Sequence, residues 1–134
     1  MKFQKRVLSF LGVLSTLFLF SCGEKKENIY LECSYRPGEG PIWKADPRVF
    51  ITIDLENMTG TNADHRSSMF GKEPLSISER FYSFEISTGW FHRKHIIDRR
   101  TLELLIEVQF KSKKSGKDYR NELSCKKVQS FNKI

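Results

Sequence analysis

From residue 29 to residue 128, apolar side chains return at every second position, and a 3.6-residue period is almost absent. Ile29, Leu31, Cys33 and Tyr35 alternate with Tyr30, Glu32 and Ser34, and Val49, Ile51, Ile53 and Leu55 alternate with Phe50, Thr52, Asp54 and Glu56. Side chains two apart lie on one face of an extended chain, so each run predicts a strand with one buried face. Leu75-Ser76-Ile77-Ser78 predicts the start of a short strand, and Tyr82, Phe84 and Ile86 mark the next. The segment 90–98 has mixed faces, with Trp90, His92, Lys94 and Ile96 on one side and Phe91, Arg93, His95 and Ile97 on the other. Leu102, Leu104, Ile106, Val108 and Phe110 follow; Leu and Glu are good helix formers, but five apolar residues at spacing two decide for a strand. Tyr119 to Val128 closes the series, with Leu123 and Cys125 on one face.

The segments between these runs carry turn chemistry. Arg36 to Pro41 holds two prolines and two glycines, Thr88-Gly89 and Asp98-Arg99-Arg100-Thr101 suit tight turns, and Ser112 to Asp118 suits a hairpin loop. Glu56 to Pro74 shows no sustained apolar period and is expected to be the longest irregular region; Asn57-Met58-Thr59 within it is expected to be a turn and not a sugar site. Six or seven strands joined by short connections, without a crossover helix, predict an all-β fold: one small antiparallel meander that curls into a barrel or folds into a sandwich. It would occupy residues 29–134.

Ahead of it lies a different pattern. Lys2, Lys5 and Arg6 precede an uncharged run from Val7 to Ser21, which is too short to span a bilayer and fits a signal peptide over residues 1–21. Leu19-Phe20-Ser21-Cys22-Gly23 resembles the lipobox of bacterial lipoproteins, which implies that Cys22 becomes the lipidated N-terminus, carrying palmitate or a similar chain, with residues 22–28 as a polar tether. Phe20 stands where such signals carry a smaller residue, so plain secretion stays open, as does an uncleaved N-terminal anchor. The expected place is the cell envelope, on the periplasmic or exterior face of a membrane. Gly23 lacks the acidic residue that, by resemblance to enterobacterial lipoproteins, retains such proteins in an inner membrane, which tilts the expectation towards an outer one.

Three cysteines in an exported chain leave one without a disulfide partner. With lipid on Cys22, Cys33 and Cys125 are free to pair across a loop of about ninety residues, in a compartment where disulfides persist; two buried free thiols are the alternative. The pairing would bring first and last strands together, remove exposed sheet edges and favour a barrel. Equal spacing of Leu31 from Cys33 and of Leu123 from Cys125 suggests that the leucines stack as well.

The formal charge of +7 falls to +4 once the three leader cations are gone, and the excess gathers late: Lys111 to Ile134 holds eight Lys and Arg against Asp118 and Glu122. Such a segment suits anionic headgroups or cell-wall polymers, or simply solvates a loop; an exported protein has little occasion to meet nucleic acid. No glycine-flanked nucleophile, phosphate loop or metal-ligand spacing occurs, and His92 and His95 fall on opposite strand faces, so neither catalysis, metal nor cofactor is expected. Trp90, His92, Arg93 and Lys94 are the candidate binding surface, because exposed rings beside cations hold sugars, peptides or anionic polymers. The expected function is a lipid-anchored, non-enzymatic binding or inhibitory module, monomeric, with an envelope protein, glycan or anionic polymer as partner. The alternative is a structural or accessory lipoprotein.

Cys33 in the first strand, Ile97-Asp98-Arg99-Arg100-Thr101-Leu102-Glu103-Leu104 in the middle and Ser124-Cys125-Lys126-Lys127-Val128 at the close resemble a group of small exported bacterial proteins, a likeness that brings no activity with it. More distantly, the layout is similar to the small periplasmic lipoproteins that inhibit lysozyme, which implies a barrel stapled from first strand to last. The serine-glycine and lysine elements with which those inhibitors enter the enzyme have no counterpart, so only the architecture is implied.

Overall fold

The computed structural model describes residues 25–40, 47–63 and 71–131, and the leader, Cys22 and His65 lie outside the described residues. Nine antiparallel strands form a single sheet: β1 (Ile29–Tyr35), β2 (Val49–Asp54), β3 (Thr59–Asn62), β4 (Glu73–Pro74), β5 (Ser76–Ile77), β6 (Phe81–Ser87), β7 (Phe91–Asp98), β8 (Glu103–Phe110) and β9 (Tyr119–Val128). The expected all-β antiparallel meander is what the chain forms, and it curls into a nearly closed barrel. The spatial order is β4-β3-β2-β1-β9-β8-β7-β6-β5. The first and last strands therefore pair in the middle of the sheet, and its two edges are β4 and β5. Those edges are consecutive parts of one segment, Glu73 to Ile77, which pairs with β3 on one side of Leu75 and with β6 on the other. Leu75 is the bend, its side chain is buried, and its N–H donates to the Met58 carbonyl at 2.9 Å. This differs from the expectation that β1 and β9 would be the edges.

The period of two is realised as inside and outside of the barrel. Leu31 and Cys33 of β1, Ile51 and Ile53 of β2, Phe84 and Ile86 of β6, Ile97 of β7, Leu104 and Val108 of β8 and Leu123 of β9 all bury their side chains in one core. Full burial of an Ile, Leu or Phe stabilises by about 1.5–3 kcal/mol relative to exposure, and this inner face is where the chain concentrates it.

Residues 56–74 are not the single irregular region expected, since β3 and β4 lie within them. Thr-Gly-Thr-Asn has no apolar side chain to reveal a strand, yet it completes the ladder with β2, with Ile51 opposite Asn62 and Ile53 opposite Gly60. Gly60 is required there because the Phe84 ring of β6 fills the space a Cβ would take. The β2–β3 turn is set by Asp54, whose carboxylate accepts from the Asn57 N–H at 2.9 Å and from Asn57 Nδ2 at 2.8 Å, while Met58 takes φ 53°.

Cys33 and Cys125 are direct cross-strand partners joined in a disulfide, with their Cα atoms 4.0 Å apart. The accompanying idea of stacked leucines is corrected by the register. Leu31 faces Lys127 and Leu123 faces Tyr35, because in an antiparallel pair the residue before one cysteine meets the residue after the other.

Candidate functional site

Barrel polarity organises the surface. Ile29 and Val128 lie side by side at one end, since Tyr30 pairs with Val128, so residues 25–28, the described part of the expected tether, enter there. The turns at 55–58 and 99–102 share that end. At the other, β6 turns into β7 through Thr88, Gly89 and Trp90, and β8 turns into β9 through residues 111–118. β9 has ten residues, so the ends are roughly 30 Å apart along the strand.

The loops at the far end are built firmly. Thr88 Oγ1 accepts from the N–H groups of Trp90 and Phe91, both at 3.2 Å, and the Thr88 N–H donates to the Phe91 carbonyl at 2.9 Å. This leaves the Trp90 side chain 71 % exposed. The Lys111 N–H donates to the Trp90 carbonyl at 3.0 Å, which fixes one loop against the other. In the second loop Asp118 accepts from the Phe110 N–H at 2.9 Å, and Gly116 lies where a side chain would press on the Phe110 ring. Phe110 meets Phe91 edge-on at 6.4 Å and Tyr119 at 6.3 Å, so a row of rings supports the rim. Lys111, Lys113, Lys114 and Lys117 are all exposed. Among the described residues no carboxylate lies within ion-pair distance of these four.

The four residues expected to form one binding surface are divided by the strand. Trp90, His92 and Lys94 lie on the outside, with His92 Nε2 3.0 Å from the Glu85 carboxylate. Arg93 shares the inner face with His95, is half-buried at the barrel mouth, and holds its guanidinium 5.0 Å from the centre of the Phe91 ring. A cation at the end of an inner face can keep its head near water while its stem packs. Arg93 is thus removed from the Trp90, His92 and Lys94 surface, and the loop lysines join it.

His95 has no exposure at all. Its ring stacks on Phe84, centroids 4.4 Å apart, and its Nε2 lies 3.0 Å from Asn62 Nδ2, which ties β7 to β3 through the barrel interior. Burial, helped by the Arg93 charge, pushes its pKa down to about 3; the Phe84 backbone opposes this without forming a well-shaped hydrogen bond to Nδ1. The ring is neutral and closed to solvent. Sequence reasoning placed His95 on the face with Ile97 but missed its partner, because Asn62 was not read as part of a strand.

Two carboxylates titrate below their usual range. Asp98 accepts from the N–H groups of Arg100 and Thr101 at 2.8 and 3.2 Å, and from Arg80 Nε at 2.9 Å, and these bonds favour its charged form. Asp54 is lowered by its two bonds from Asn57. Both close turns at the tether end.

A groove of about 550 Å³ runs over the outside of β6 to β9, with Ile96 and Leu105 on its floor beside Ser83 and Ser124. Its charges largely satisfy one another, Arg36 with Glu122 at 3.0 Å and Arg80 with Asp98 at 2.9 Å. Outside the barrel, Phe131 sits edge-on to both Phe50 and Tyr30, 5.1 and 5.4 Å away. Among the described residues no three His, Cys, Asp or Glu come together as a metal set, and no helix among them is long and apolar enough to cross a membrane. Comparison with protein-family models, with curated proteins and with solved structures finds no match.

Proposed function

We infer that this chain is a lipid-anchored protein of the cell envelope that works as a non-enzymatic binding module, held through Cys22 and engaging its partner through the end that carries Trp90 and the loop lysines. The observation that supports this most directly is the opposition of the two ends. A barrel tethered beside Ile29 presents Trp90 and Lys111 to Lys117 away from its anchor, where a partner in the envelope can reach them. The Cys33–Cys125 bond favours an exported fold, because such bonds persist in oxidising compartments. The groups with displaced titration have structural work to do, Asp54 and Asp98 in turns and His95 in the core, which favours binding over catalysis.

Two measurements test the reading. Cys22→Ser should abolish fatty-acid labelling and release the protein from membranes, since lipid chains contribute about 0.8 kcal/mol for each buried methylene. A Ser form that still fractionates with membranes would make residues 7–21 an uncleaved anchor. Pull-downs from envelope extract should lose the partner when Trp90 and Lys113 are both changed to Ala. Equal recovery by both forms, or no partner at all, would favour the structural or accessory reading.

A further inference from the structure

The loop end carries features that narrow the class of ligand. Among the described residues the loop cations without an ion pair are the lysines, whose compact ammonium groups can meet phosphates as point charges. Among the described residues, four arginines are engaged elsewhere: Arg36 and Arg120 with Glu122, Arg48 with Glu32, and Arg80 with Asp98. The one acid of the loop, Asp118, is turned back onto the Phe110 N–H. Against Lys111 stands Trp90, 71 % exposed on a turn fixed by three hydrogen bonds, with Tyr119 43 % exposed at the foot of the lysine loop. A rigid exposed indole offers an apolar plate for the face of a sugar ring.

We propose that the Trp90 turn and the Lys111–Lys117 loop form a binding site for a phosphate-bearing glycan, with Trp90 stacked on a sugar ring and Lys113, Lys114 and Lys117 meeting successive phosphates. This rests on the binding-module reading above. An anionic membrane is the competing source of phosphate, and the polarity of the barrel speaks against it, because the tether holds the opposite end towards the bilayer.

The full-length protein in neutral detergent is titrated calorimetrically with phosphorylated mannan, with neutral mannan of matched length, and with phosphatidylglycerol added to the micelles. Phosphorylated mannan should bind at least tenfold more tightly than neutral mannan and weaken as salt rises. Changing Lys113, Lys114 and Lys117 to Gln should cost tenfold or more and flatten the salt dependence, while Arg at the same positions should keep the affinity. Trp90→Ala should weaken binding by roughly three- to tenfold, with Trp90→Phe between it and the parent. Equal affinity for neutral mannan, indifference to the Gln changes, or binding of phosphatidylglycerol without mannan would each overturn the proposal. The titration does not depend on whether Cys22 carries lipid, and membrane fractionation does not depend on the lysines, so failure of one is distinguishable from failure of the other.

Discussion

At the scale of single residues, His95 and Gly60 show how the barrel closes where its ladder is weakest. His95 is neutral inside the fold with a pKa of about 3, against about 6.5 when the chain is unfolded. Between those values the unfolded chain takes up a proton that the folded one refuses, so stability falls as pH drops from 6.5 towards 3 and levels off below. Between pH 7 and pH 4.5 the loss from this group should be roughly 2–3 kcal/mol. His95→Gln, which cannot titrate there, should lower stability at pH 7 yet show a shallower fall in denaturation midpoint over the same range. Equal slopes in the two proteins would mean that His95 is reached by protons in the native state. Gly60→Ala should destabilise by about 1–3 kcal/mol through collision with the Phe84 ring, and Phe84→Leu in the same chain should recover part of that loss, as read by urea denaturation.

At the scale of elements, the β1–β9 ladder joins the beginning of the domain to its end. Cys33→Ser should lower stability by roughly 2–5 kcal/mol, and unreduced digestion of the parent should yield a Cys33–Cys125 crosslinked peptide by mass spectrometry. A titre of two free thiols on the unfolded mature protein would show the bond unformed. β2 and β8 were legible in the sequence because their inner faces announce themselves as Val49, Ile51 and Ile53 and as Leu104, Ile106 and Val108 at spacing two. β3 was not, since its inward positions are Gly60 and Asn62, and the meaning of both lies in Phe84 and His95 on strands more than twenty residues away. The site was legible in part for the same reason. Trp90 follows a Gly turn and was foreseen as exposed, whereas the loop lysines and Trp90 come together only through the Lys111–Trp90 contact between two hairpins. Arg93 shows that adjacency in sequence is separation in a strand: the alternation that exposes His92 and Lys94 turns Arg93 inward.

At the scale of the whole molecule, the barrel is circular in all but its covalent order. β1 pairs with β9, the described chain ends lie beside each other at the tether end, and the break in the ladder falls within the continuous segment around Leu75. Joining residue 129 to residue 28 through a short Gly-Ser linker and opening the chain between Ser115 and Gly116 should therefore preserve every strand. The permuted protein is expected to unfold in one cooperative transition and to retain the Cys33–Cys125 bond. The energy of that bond should nevertheless change. In the natural order it closes a loop with a sequence separation of 92. In the permuted order the path from Cys125 through the linker to Cys33 is only on the order of fifteen residues. If disulfides stabilise mainly by limiting the unfolded chain, the bond should be worth about 3 kcal/mol in the permuted protein against about 4.7 in the natural one. Comparing each protein with its own Cys33→Ser form by chemical denaturation measures the two values. An equal loss in both would leave the barrel topology intact and place the bond's contribution in the native ladder between β1 and β9, not in the entropy of the loop it closes.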